Sequence, residues 1–399
     1  MTTVTPACTG GDGDPAAPAM AYEPGAGPVQ AGSPAVGSEA LRRAAPGGVV
    51  KALPSRRRFL GGVLLGTASA AVGAAALLDA PVATAADHQP GAGAGTRPMH
   101  GGGHNGATFR AGGTVDHAAN GFNPSDLLRD FDYGRVTTTP QGRTLREWEV
   151  VATDRDVEVA PGVRFQAWTF NSRIPGPTLR CTRGDLLRVR FVNGSAHPHT
   201  MHFHGIHTAE MDGVPMVGRG VISPGESFTY TFDAEPFGLH LYHCHVGPLA
   251  EHIARGMYGT FIIDPPKPRP AADELVMVMH GYNTTFDGQG NQLYAVNGIP
   301  FHYVHEPVRV RRGELVRIYL VNITEYDPIN SFHLHGNFFD YYPTGTRLEP
   351  AEFTDTVVQA QGQRGICEIR FPHPGRFMFH AHKSEFADLG WMGFFEVTD

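Results

Sequence analysis

The sequence predicts an all-β protein made of two tandem copies of one sandwich or Greek-key barrel. Segments such as "LLRVRFVN", "SFTYTF" and "GTFIID" run apolar or alternate, are rich in β-branched and aromatic residues, and are bounded by Gly, Pro and Asn. Helical periodicity is scarce. The chain also repeats itself. "RGDLLRVRFVN" (183–193) returns as "RGELVRIYLVN" (312–322), "MHFHG" (201–205) as "FHLHG" (332–336), and "LYHCH" (241–245) as "MFHAH" (378–382), at offsets of 129, 131 and 137 residues. Three matches in constant order, separated by small insertions, are what a duplicated domain leaves behind.

The elements follow in chain order. Residues 1–54 are rich in Ala, Gly and Pro without periodicity and read as disordered. "SRRRFLGG" (55–62), the uncharged run that follows it and the small residues "ATA" (83–85) resemble a twin-arginine export signal. Residues 1–85 are therefore expected to be a leader plus signal. The mature chain would start near Ala86 and work in the periplasm, cell wall or medium, without stable membrane insertion. An uncleaved anchor is the alternative. Residues 86–143, Gly-rich with His88, His100, His104 and His117, read as a flexible, solvated arm, with loose metal binding as a second possibility. The first domain is placed at 144–266, the stiff linker "DPPKPRP" at 264–270 and the second domain at 271–399.

Composition narrows the function. The formal net charge is −7 and no long basic stripe occurs, which argues against nucleic acid as a partner. The four cysteines, Cys8, Cys181, Cys244 and Cys367, make no disulfide framework. A Cys181–Cys367 bridge and two separate apolar strand residues both remain open.

The chemistry lies in the histidines. On a strand, residues i and i+2 share a face, so an H-x-H triplet turns both imidazoles the same way. Four such triplets occupy matched positions in the repeat: His202/His204, His243/His245, His333/His335 and His380/His382. Eight imidazoles without a carboxylate suit a borderline ion such as Cu, Zn, Fe or Ni. Cys244 sits between His243 and His245, so its sulfur faces the other way. His199, His252 and Met257 are at hand to complete a set of two His, one Cys and a soft Met, which is the donor set of a blue copper. The second copy has Asn330 for His199 and Ala381 for Cys244. Phe386 and Leu389 stand five and eight residues after Ala381. That copy thus keeps the H-x-H pairs and lacks the mononuclear set.

"FNSRIPGPTLRCTRGDLLRVRFVN", "HTMHFHG", "MDGVP", "HCH", "FHLHG" and "HAH" resemble the motifs of multicopper oxidases, the two-domain, laccase-like group in particular, over roughly residues 145–399. The resemblance implies a cupredoxin barrel per domain and four copper ions per chain. It implies a type 1 copper on His199, Cys244, His252 and Met257. It implies a type 2 copper on His202 and His333, and a type 3 pair on His204, His243, His245, His335, His380 and His382. One-electron oxidation of phenols, amines or metal ions at the type 1 site would feed four-electron reduction of O2 to water, with the electron leaving through Cys244. Asp212 matches an acidic residue expected near the cluster and is the candidate proton donor, ahead of Asp355 and Glu385. Two-domain relatives close a ring of three chains with clusters at the interfaces, so a homotrimer is expected.

Two rivals stay open. The eight-residue gap from Cys244 to His252, then five to Met257, looks closer to copper nitrite reductases. Those proteins use a non-ligand residue where His245 stands and an aspartate where His202 stands. A copper-binding protein without turnover is the other rival.

Overall fold

The structure is a computed structural model that describes residues 114–399 apart from Pro328. The leader, the export signal, Cys8, and His88, His100 and His104 of the arm lie outside the described residues. No helix among the described residues is long and apolar enough to cross a membrane.

Strands are the dominant regular element among the described residues and form four sheets. Two belong to residues 131–264. In one, the strand order is Phe131–Asp132, Thr178–Thr182, Tyr258–Asp264, Gly238–His243, His202–Phe203. In the other it is Arg135–Thr138, Thr144–Ala160, Leu186–Asn193, Ser227–Asp233, with Val163–Phe170 added onto Thr144–Ala160. The second half repeats the plan. Leu186–Asn193 lies parallel to Thr144–Ala160 and antiparallel to Ser227–Asp233. Its repeat partner Leu315–Asn322 lies parallel to Asp273–Tyr282 and antiparallel to Arg364–Arg370. These are cupredoxin-type β domains, as the strand pattern predicted.

Alternation along these strands sends one side-chain set inward. Val150, Val189, Phe191, Phe203, Tyr242 and Phe261 fill the first sandwich, and Ile318, Leu320, Phe332, Phe379, Trp391 and Phe395 the second. A third apolar cluster joins the halves, with Val157, Phe165, Leu241 and Ile262 packed in one core with Val276, Tyr282, Val321 and Ile366. Arg180 is held at the same junction by Asp264 and Glu274, and Glu274 also accepts from Arg317 and Tyr319. The two halves are therefore one packed body.

The arm differs from the expectation. Residues 114–143 are built into the fold. His117–Asn120 is a short helix capped by Asp116, and Pro124–Leu127 another capped by Asn123. Phe131–Asp132 adds an edge strand beside Thr178–Thr182. Val115, Phe122, Leu127 and Leu128 are buried. Val115, Phe122 and Leu127 join the core shared by the two halves and Leu128 joins that of the second, so their spacing follows no single strand or helix period, and the Gly/His composition upstream masked them. Cys181 and Cys367 are free, buried and in different cores, so the reading as two separate strand residues holds.

Candidate metal centre

Pairing places the histidines. His202 lies opposite His243 across one ladder, and His333 opposite His380 across its copy. In the first domain Nε2 of His204 and Nε2 of His243 converge to 2.9 Å, and in the second those of His335 and His380 to 3.0 Å. The His202 ring centroid is 5.0, 5.3 and 5.3 Å from those of His204, His243 and His245. The His333 ring is 4.9, 5.3 and 5.2 Å from those of His335, His380 and His382. The two half-sites are thus one geometry made twice.

Backbone carbonyls set the tautomers. His243 Nδ1 donates to the Cys244 carbonyl (2.8 Å) and His380 Nδ1 to that of Ala381 (2.7 Å). His202 Nδ1 donates to the Asp212 carbonyl (2.8 Å) and His333 Nδ1 to that of Asp355 (3.1 Å). Each ring then keeps its lone pair on Nε2, the arrangement that metal-ligating imidazoles use. Burial, followed by the neighbouring imidazole, pushes His204 down to about 2, and burial pushes His243 down to about 3. Both are neutral donors at ordinary pH.

The mononuclear group lies on the far side of the same strand. Cys244 Sγ is 3.2 Å from His252 Nδ1 and 3.7 Å from His199 Nδ1, and the two Nδ1 atoms are 3.2 Å apart. All three residues are buried. His252 rides on the short helix Leu249–Ala254, which the strand-dominated reading did not anticipate. Ser195 Oγ donates to Asp154 (2.7 Å) and so accepts from His199 Nε2 (3.0 Å), which leaves the His199 Nδ1 lone pair facing the sulfur. Met257 is fully buried in the same core, and its carbonyl accepts from the Cys244 N–H at 3.0 Å. Burial pushes His199 down to about 3, His252 down to about 4 and the Cys244 thiol up to about 11. Two neutral imidazoles, one thiol and a thioether with no other task fit a soft or borderline ion.

The second domain shows the same backbone with the metal donors replaced. The Ala381 N–H donates to the Trp391 carbonyl as Cys244 does to Met257, and Trp391 N–H to Phe386 as Met257 does to His252. Phe386 and Trp391 are fully buried there, so an apolar plug fills the mononuclear position.

Asp212 belongs to the first half-site. Its Oδ1 lies 2.9 Å from His202 Nδ1 and 3.4 Å from His207 Nε2. The turn needs Gly213 (φ +72°), where a Cβ would sit 1.9 Å from the Met201 carbonyl oxygen. Asp355 is more remote, 4.0 Å from His333 Nδ1 and partly exposed. Glu385 lies on the helix Ser384–Asp388, 4.0 Å from Lys383 Nζ, and joins no candidate ligand group among the described residues. Within one chain, no candidate group among the described residues mixes imidazoles of the two half-sites.

A multicopper oxidase family model matches residues 151–268, and a second multicopper oxidase model matches residues 269–399. A solved multicopper oxidase structure is 63% identical, aligns with a TM-score of 0.70, and covers 71% of this chain and 100% of its own. The chain belongs to the multicopper oxidases. Other relatives widen the picture. The copper-containing nitrite reductase of Neisseria gonorrhoeae is 30% identical over 249 residues, covering 57% of this chain and 62% of that protein. The chain thus spans less than two thirds of that relative's length. The blue copper oxidase of Nitrosomonas europaea is 29% identical with a TM-score of 0.59, covering 63% of this chain and 86% of that one.

Sequence reasoning missed one pair that this multicopper oxidase uses twice. Thr200 Oγ1 accepts from the backbone N–H of His245 (3.1 Å) and Ser331 Oγ from that of His382 (2.8 Å), anchoring the main chain that carries the last imidazole of each half-site. A signal was present, since each hydroxyl precedes the first histidine of its triplet by two residues. Trp168 was also missed. Its ring lies 4.7 Å from that of His252 and 5.6 Å from that of His199, beside a cavity of about 740 Å³ that reaches His252.

Proposed function

We propose that this multicopper oxidase couples one-electron oxidation of phenols, amines or metal ions to the four-electron reduction of O2 to water. The observation that carries the reading is the doubled half-site: eight imidazoles in two matching sets, each with an Nε2 pair about 3 Å apart. A second copper of the nitrite-reducing kind needs three histidines, and the surplus imidazoles have no purpose in it.

His199, Cys244, His252 and Met257 would hold the type 1 copper, His202 and His333 the type 2 copper, and His204, His243, His245, His335, His380 and His382 the type 3 pair. Copper, when bound, would supply reversible one-electron transfer at the first group and, counting all four ions together, the four electrons that O2 reduction requires. The chain's own residues do the rest. The cavity beside Trp168, lined by Asp154, Gln166, His197, Glu251 and Arg255, gives a reducing substrate access to the His252 edge. Cys244 joins that edge through its own backbone to His243 and His245. Asp212, in contact with His202 and His207, is placed to deliver protons, as the reduction requires four per O2.

The half-sites would meet between chains, in a homotrimer closed head to tail. His335 and His382 are exposed, and around them the second domain shows Phe338, Phe353 and Val358 to solvent, the last two 69% and 62% exposed. Export by the twin-arginine route is part of the same proposal and rests on residues 55–85.

Nitrite reduction is the second reading, favoured by the curated relatives and by the spacing from Cys244 to His252 and Met257. Metal analysis with optical and EPR spectra, alongside O2 and nitrite consumption, tests both. Four coppers per chain, a strong blue band and O2 uptake on adding a phenol are expected. Two coppers with nitrite turnover would establish the rival, and copper without turnover would leave a binding protein.

A further inference from the structure

A second cluster of metal-binding side chains lies away from both copper groups, where the N-terminal segment meets the second domain. His117 opens the helix His117–Asn120, His302 opens the helix His302–His305, and Glu306 follows one turn later. One ligand atom from each of the three lies within 4.8 Å of the others. The His117 and His302 rings meet edge to face at 5.0 Å. His302 Nε2 is 3.8 Å from Glu306 Oε2, and Ser125 Oγ sits between them, 2.8 Å from the nitrogen and 3.3 Å from the oxygen.

Two features separate this group from an ordinary hydrogen-bonded cluster. His117 Nδ1 is buried without a hydrogen-bond partner, an orphaned lone pair or N–H that costs on the order of 1–3 kcal/mol unless something takes it up. The separation of His302 Nε2 from Glu306 Oε2 is also close to the roughly 3.3 Å that two ligand atoms at about 2.0 Å subtend at a tetrahedral ion. Drawing the three ligand atoms together from their present separations, all within 4.8 Å, with the hydroxyl of Ser125 or a water as fourth ligand, completes the shell.

We propose that His117, His302 and Glu306 form a separate binding site for a single borderline divalent cation, of the zinc type, which staples the N-terminal segment to the second domain. Two imidazoles and one carboxylate are a hard-to-borderline donor set without sulfur, unlike the Cys244 group, and the site holds one ion rather than a cluster. The bonds already joining these elements define what the ion reinforces. Tyr303 Oη donates to the Pro124 carbonyl (2.8 Å), and Asn297 Nδ2 donates to Tyr303 Oη (3.1 Å). The ion adds a coordinate link to the ring contact that His117 already makes with His302.

The test uses the copper-loaded full chain, equilibrated with Zn2+ alone and analysed for both metals. One zinc per chain beyond the copper is expected, with a higher thermal midpoint than the zinc-free protein. Glu306→Gln and His117→Gln should each weaken zinc binding 10-fold or more and remove the thermal shift, while copper content and the blue absorbance stay unchanged. Those unchanged spectra show that the variants are folded. Co2+ in place of Zn2+ should give visible d–d bands of low symmetry that vanish in His117→Gln. Zinc that fails to bind the copper-loaded protein, or that binds both variants as tightly as the parent, overturns the site.

Discussion

Nδ1 of His243 donates a 2.8 Å hydrogen bond to the carbonyl oxygen of the next residue, Cys244, whose sulfur lies 3.2 Å from His252 Nδ1. One peptide therefore touches both ligand groups. The second domain keeps the same bond from His380 to Ala381 without a thiol. Cys244→Ala copies that natural arrangement into the first domain. The variant should lose its intense blue absorbance and at least about 100-fold in substrate oxidation, while the EPR signal of the imidazole site persists. A blue band that survives would contradict the assignment of Cys244.

Asp212→Asn keeps the shape of the turn and removes the carboxylate beside His202 and His207. O2 consumption should fall about 10- to 100-fold with the type 1 spectrum unchanged. Asp355→Asn, whose carboxylate is 4.0 Å from His333 and partly exposed, should cost clearly less. Equal losses from both would remove Asp212 from its role.

His280 sets part of the acid limit of stability. Its ring is fully buried and Nε2 accepts from the Gly298 N–H at 2.9 Å. Burial pushes it down to about 3, against about 6.5 in an unfolded chain. Between those values the unfolded chain takes up a proton that the native state refuses. Stability from this residue is thus complete above about pH 6.5 and falls by about 1.4 kcal/mol per unit as pH drops toward 3. His280→Gln keeps an acceptor and removes the titration, so unfolding midpoints should fall less steeply between pH 6 and 4 than in the parent. Parallel curves would refute this.

Glu274 is the hub of the junction between the halves. It accepts from Arg180 (2.7 Å), Arg317 (2.9 Å) and Tyr319 (2.7 Å). Glu274→Gln leaves two largely buried guanidinium groups with less compensation and should destabilise by about 3 kcal/mol, read by denaturant unfolding.

Assembly has its own test. Phe353→Asp combined with Val358→Asp places charge on the exposed apolar surface of the second domain. If the proposed trimer forms through this surface, sedimentation should show its loss, with O2 reduction lost and the blue absorbance retained, because the His199–Cys244–His252–Met257 group lies within one chain. A trimer that persists, or an active monomer, would count against interfacial clusters.

The all-β class, the duplication and the convergence of two groups of candidate metal donors were legible in the sequence for one reason. Strand periodicity turns i and i+2 to one face, so an H-x-H triplet announces a shared direction and Cys244 an opposite one. Trp168 was not legible as a site residue, since isolated tryptophans occur throughout any sandwich, while Thr200 and Ser331 carried a repeated spacing whose meaning only packing shows, through the N–H groups of His245 and His382.

What the sequence alone determined is thus which residues could be ligands and which domain lacks the mononuclear set. Tertiary structure decided the rest. It settled that residues 114–143 belong to the fold, that Cys181 and Cys367 stand apart, that carbonyl acceptors turn Nε2 toward each half-site, and that Phe386 and Trp391 fill the second domain's vacated position. The physical reason is that tautomer, burial and contact depend on residues far apart in the chain. Local pattern fixes the direction of a side chain, and only the packed core fixes what it meets.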